Sequence, residues 1–107
     1  MEEKKFIAYT GDYRVHDSKI EGILWENENL SVFLRSYKGE ALVVRFYGVK
    51  TIHSNRPLGM MLYAISEMKC HDPLRKFIFG NWDERDDASL EIVAEQVDFK
   101  SKVNCIE

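Results

Sequence analysis

Between residues 18 and 47 the sequence alternates apolar and polar side chains in three runs separated by short polar breaks. In 18–25, Ile20, Gly22 and Leu24 share one face while Lys19 and Glu21 share the other; Asn27-Glu28-Asn29 interrupts, and Leu30, Val32 and Leu34 resume the pattern. After a second break at Lys38-Gly39-Glu40, Leu42, Val44 and Phe46 alternate against Arg45 in a run rich in β-branched residues. A period of two fits a strand that buries one face and does not fit a helix, and breaks this short join antiparallel neighbours. Two flanking segments read the same way. Residues 5–9 are apolar and aromatic and end at the turn signal Gly11-Asp12-Tyr13; residues 76–82 lie between Pro73 and Gly80-Asn81 with Phe77 and Phe79 on one face.

Two segments read either way. In 58–69, Leu58, Met61, Leu62, Ile65 and Met68 trace a helical stripe behind a Ser54 or Asn55 cap and Pro57, yet Gly59 and Tyr63 suit a strand equally. In 89–99, Leu90, Ile92 and Ala94 alternate and then change phase to Val97 and Phe99, which a strand accommodates through a β-bulge or corner. A helix through Leu90, Val93, Ala94 and Val97 is the competing pattern, and the β-branched residues favour strand. The expected fold is therefore mainly β: an antiparallel meander of five to seven strands forming a small barrel or sandwich, with one helix at 58–69 as the alternative.

Length and composition set the class. A chain of 107 residues, 45% hydrophobic and 31% charged, with no Pro/Gly/Ser-rich linker and no internal repeat, reads as a single domain over 1–107. Its longest apolar stretch, 60–65, is far short of the roughly 20 residues a membrane-spanning helix requires. The opening Met1-Glu2-Glu3-Lys4-Lys5 lacks the basic and long apolar regions of an export signal, which places the protein in the cytoplasm and leaves Cys70 and Cys105 as free thiols. With 15 basic against 18 acidic residues there is no positive field for a phosphate backbone, which argues against nucleic-acid binding. The six glycines stand singly, so no phosphate-binding loop is present and no cofactor is expected.

Few residue patterns carry chemistry. His16-Asp17-Ser18 holds the three residue types of a hydrolase triad, but in adjacent positions and without an elbow to present the serine. Asp17 or Ser18 is expected instead to bond backbone N–H groups at the strand entry. His16, His53, Cys70, His71 and Asp72 match no metal-site spacing. The run Asp83-Glu84-Arg85-Asp86-Asp87 lacks the order of a calcium loop and reads as a solvated turn or an anionic surface for a basic partner. Trp25 and Trp82 each adjoin a polar turn, where an exposed indole serves as an interface anchor and a buried one caps the core; the five tyrosines carry the same ambiguity.

The opening from His16-Asp17-Ser18 through Ile20 and Trp25, the Asn27-Glu28-Asn29 turn and Leu30-Ser31-Val32 resembles the start of several small bacterial families, some of them immunity proteins encoded beside toxins. The resemblance spans about a third of the chain, implies an interaction role and transfers no catalytic residue. The expected function is a non-catalytic, immunity-like protein-interaction module, with binding candidates His16, Asp17, Trp25, Trp82, Asp83, Glu84, Asp86 and Asp87 and with a protein as partner. The alternatives are a small-ligand-binding barrel or enzyme using His16, His53 or His71 in a cleft, and a homodimer closed at an exposed strand edge.

Overall fold

The computed structural model describes residues 6–100. Its nine strands are β1 (Phe6–Tyr9), β2 (Lys19–Glu26), β3 (Asn29–Arg35), β4 (Ala41–Tyr47), β5 (Thr51–Asn55), β6 (Leu62–Met68), β7 (Arg75–Asn81), β8 (Ser89–Ala94) and β9 (Gln96–Lys100), with one 3-10 turn at Tyr13–Val15. All pairings are antiparallel, in a five-stranded sheet ordered β1-β6-β7-β8-β5 and a four-stranded sheet ordered β2-β3-β4-β9. The sheets pack as a sandwich without closing into a barrel. Lys5, at the start of the first expected strand, and Cys105, half of the one conceivable disulfide, lie outside the described residues.

The inward faces are those the alternation marks. Leu30, Val32 and Leu34 of β3 and Leu42, Val44 and Phe46 of β4 are all buried, and Phe46 meets Phe77 and Phe79 of β7 across the sandwich at ring-centroid distances of 5.1 and 6.0 Å. The strand count exceeds five to seven because the chain turns a corner twice. β4 continues into β5 past Gly48, β8 continues into β9 past Glu95, and the paired ribbon so formed passes from one sheet into the other. The Glu95 N–H donates to the Tyr47 carbonyl at 2.9 Å and the Lys50 N–H to the Val93 carbonyl at 2.8 Å, which holds the corner. Gly48 has φ +65°, a backbone conformation that favours glycine, and the end of the flexible Glu95 side chain packs 2.7 Å from the Cβ position it leaves open. The phase change at 89–99 is this corner: Leu90, Ile92 and Ala94 face the core before it, and Val97 and Phe99 pack on the core after it.

The segment 58–69 is not a helix. Pro57 to Met60 make a turn closed by the Met60 N–H on the Pro57 carbonyl, with Gly59 at φ +88°, and β6 follows. A β-bulge between Leu62 and Ala64 shifts the phase of β6, so that Leu62 and Ile65, three positions apart, both enter the core and imitate a helical spacing. Of the other members of that stripe, Met68 is buried at the end of β6, while Leu58 and Met61 are exposed. A second bulge between Ile20 and Gly22 does the same in β2: Ile20 and Ile23 face inward, and Leu24 is not on the face of Ile20 but is exposed.

Candidate functional site

At one end of the sandwich the entry to β2 is stitched to β6. The 3-10 turn is initiated by Asp12, whose carboxylate accepts the Arg14 N–H at 2.9 Å and also binds the Arg14 guanidinium. Val15 from this turn plugs the core. The Ser18 hydroxyl donates to the Val15 carbonyl at 2.6 Å, the Asp17 N–H donates to the Leu62 carbonyl at 2.9 Å, and the Leu62 N–H donates back to the Ser18 carbonyl at 2.7 Å. These bonds fix Asp17 in the left-handed region at φ 69°, a conformation that aspartate and asparagine enter more readily than most side chains. The Trp82 N–H donates to the Met61 carbonyl at 3.0 Å and brings the end of β7 to the same place.

The result is a contiguous ring cluster. His16 lies edge-on to Tyr63 at 5.4 Å and tilted to Trp82 at 5.5 Å, and Tyr63 meets Trp82 edge-to-face at 5.5 Å. Such T-shaped contacts are favourable for quadrupolar rings, and mutual contact leaves no opening for a cation between them. The Trp82 indole N–H donates to Asp17 Oδ1. His16 Nδ1 stands 2.9 Å from the Tyr63 carbonyl oxygen, which only accepts, so in the neutral ring Nδ1 carries the proton and Nε2 keeps its lone pair, 3.8 Å from Asp17 Oδ1.

Two clefts flank this cluster. The first, about 320 Å³, is walled by Tyr9, Tyr13, His16 and Tyr63 over a floor that includes Val15 and Ile65. The second, about 260 Å³, runs between Tyr13, His16, Asp17, Tyr37, Lys38 and Glu40. Tyr13 and His16 border both and form the ridge between them. Tyr13 and Tyr37 are 83% and 80% exposed because each sits in a turn, where no core is within reach. Tyr63 and Trp82 are about half exposed. The Arg14 side chain, hydrogen-bonded to Asp12, holds the Asp12 carboxyl below its ordinary value of 3.8, so that it stays ionised.

Of the residues singled out in the sequence, His16, Asp17 and Trp82 are brought together here across a separation of 65 residues between Asp17 and Trp82. Trp25 is elsewhere. It lies near the far end of β2, about 20 Å along the strand from Lys19 at roughly 3.3 Å per residue, is exposed, and donates its indole N–H to the Asn27 carbonyl. The acidic run is an ordered turn rather than a free anionic surface. Asp86 and Asp87 bind Arg56, Asp86 also accepts from Asn81, and Asp83 accepts the Arg85 N–H at 3.0 Å, while Glu84 points to solvent. Ser18 and Asp17 do not cap backbone N–H groups as expected: the serine hydroxyl is a donor to Val15 and the aspartate serves Trp82.

His53 lies on edge strand β5 opposite Glu91, and His71 lies in the turn before β7, so neither reaches His16. Among the described residues no group of three His, Cys, Asp or Glu side chains is placed to hold a metal ion, and no helix is long and apolar enough to cross a membrane. Tyr9, Tyr13, Tyr37 and Tyr63 are the site residues that sequence reasoning left undecided, and the signal for two of them was their place in the turn sequences Asp12-Tyr13 and Tyr37-Lys38-Gly39. No family model, no curated protein and no solved structure matches this chain.

Proposed function

We propose that the chain is a non-catalytic protein-interaction module, of the immunity type its opening hairpin resembles, and that it binds its protein partner through the aromatic end of the sandwich. One observation carries this reading: the exposed Tyr9, Tyr13, Tyr37 and Tyr63 border two adjoining clefts, with the exposed Trp82 packed on His16 and Tyr63 beside them, and large rigid rings at a surface are the usual anchors of protein interfaces. The asymmetry of polar groups supports it. His16 Nε2 offers a base, but the nearby Ser18 hydroxyl is buried and committed to Val15, so among the described residues it is not placed as an activated nucleophile beside that base.

The ligand-binding or enzymatic alternative needs two histidines around one cleft, and His16 is alone in the clefts described. Asp12, Asp17 and Glu40 outnumber Arg14 and Lys38 at the second cleft, a charge unsuited to a phosphate backbone. Pairing of a second copy on β1 fits less well than a distinct partner. β1 is an apolar edge with both faces exposed, but its bulge at Ile7 interrupts the ladder that a twin would have to extend.

Capture of the partner with purified protein, followed by affinity measurement, tests the reading. Tyr13→Ala, Tyr37→Ala and Trp82→Ala are expected to weaken binding, at least one of them by about 30-fold as for an interface hot spot, while Trp25→Ala leaves it within about threefold. Loss of binding in Trp25→Ala with retention in the other three would overturn it.

A further inference from the structure

We propose that the second cleft is a receptor for one guanidinium group, an arginine side chain of the protein partner. The proposal deepens the interaction reading, and it rests on that reading only for the source of the arginine; the chemistry of the cleft stands by itself. Three acceptors border the space. Asp17 has one carboxylate oxygen on the Trp82 indole and no protein partner on the other. Glu40 is half exposed, and its closest cation, Arg14 Nη1, is 3.7 Å away, beyond hydrogen-bond length. His16 presents the Nε2 lone pair, since its Nδ1 proton is given to the Tyr63 carbonyl.

Charge selects a cation. The cleft and its supporting Asp12 carry three carboxylates against the two cations Arg14 and Lys38, which leaves one negative charge when His16 is neutral. Arg14 is held by the Asp12 carboxylate, so the deficit is met from outside. Shape selects guanidinium over ammonium. The acceptors are on three separate residues, Tyr37 supplies a broad exposed ring, and the Tyr13 ring already carries the Arg14 guanidinium at 6.0 Å on one face. A planar group with five donors stacks on such rings and serves dispersed acceptors, whereas an ammonium is a compact point charge with three donors. A metal ion is a poor occupant, because no three ligands converge among the described residues.

Titration of the isotopically labelled protein with N-acetyl-L-arginine amide, monitored by amide shifts, tests the cleft without any partner. The probe is expected to bind on the order of 1 mM, and at least about tenfold more tightly than its neutral citrulline counterpart and several-fold more tightly than its lysine counterpart. Shifts should centre on residues 13–17 and 36–40. Asp17→Asn is the informative variant: asparagine tolerates the left-handed backbone and keeps an oxygen for Trp82, so the fold is retained while the charge is lost. It is expected to weaken the arginine probe by about tenfold, and Glu40→Gln by about threefold to tenfold.

Equal affinity for the citrulline probe, shifts confined to residues 83–87, or unchanged affinity in both variants would overturn the proposal. Absence of probe binding would also overturn it, even where Tyr13→Ala and Trp82→Ala still abolish partner binding. Probe binding at the cleft, with partner binding unaffected by those aromatic substitutions, would uphold this site and refute the interaction reading alone.

Discussion

Asp17 joins two physical roles in one residue, and they can be separated by substitution. Its backbone sits at φ 69°, where a Cβ crowds the following carbonyl oxygen and costs roughly 1 kcal/mol that glycine does not incur and that asparagine and aspartate partly recover. Its carboxylate accepts the Trp82 indole N–H. A hydrogen bond to a charged group contributes about 1.5–3 kcal/mol when shielded, and exposure of 39% for this side chain reduces that to about 1 kcal/mol. Asp17→Ala loses the bond and keeps the strained backbone, so it should destabilise by about 2 kcal/mol. Asp17→Gly loses the bond but relaxes the strain, for about 1 kcal/mol, and Asp17→Asn, which retains an acceptor and the preferred conformation, should stay within about 0.5 kcal/mol of wild type. Urea unfolding followed by tryptophan fluorescence in a Trp25→Phe background isolates Trp82 and gives all three values at constant m. Glycine more damaging than alanine would refute the strain argument, and asparagine as damaging as alanine would refute the role given to the Trp82 bond.

Gly11→Ala and Gly39→Ala both place a Cβ at positive φ, but at Gly11 it would meet Val15 at 2.8 Å and Phe99 at 2.9 Å, both packed in or against the core, and nothing lies within 4 Å of the Gly39 position. Thermal or urea denaturation should show about 1 kcal/mol lost at Gly39 and about 2–3 kcal/mol at Gly11, and equal losses would contradict the packing of the Gly11 turn against Val15 and Phe99. In acid, Asp12 has its pKa lowered first by the Arg14 side-chain hydrogen bond, so its contribution to stability is present above 3.8 and disappears as pH falls through the lower folded-state value. Arg14→Gln should move the Asp12 carboxyl upward toward 3.8 in a carbon-detected NMR titration, and the stability gap between variant and wild type should close below that pH.

The extent to which sequence foretold structure follows from the range of the interactions involved. β3 and β4 were legible because each buries one face against a continuous core, so Leu30, Val32, Leu34, Leu42, Val44 and Phe46 keep strict alternation. The corner at Glu95 was legible too, since a phase change between Ala94 and Val97 has few structural causes. The bulges in β2 and β6 were not. An extra residue in a strand spaces core positions by three, as at Leu62 and Ile65, and a local pattern with that spacing is indistinguishable from helix. The candidate site was half legible. His16, Asp17 and Trp82 were suspect by residue type, but their meeting depends on the β2 entry docking on β6 and on the β6–β7 register, which are long-range facts. The acidic turn illustrates the converse: Asp86 and Asp87 looked available, and Arg56, some 30 residues away, occupies them.

Whether the aromatic end is the interaction surface is tested most directly by amide hydrogen exchange of the protein with and without its captured partner. Added protection should concentrate at residues 9–16, 36–40, 61–64 and 82, with the outer end of β2 around Trp25 unchanged. Protection confined to residues 22–26 or to the turn at 83–87, with the Tyr13 and Tyr37 segments exchanging as in the free protein, would contradict the account.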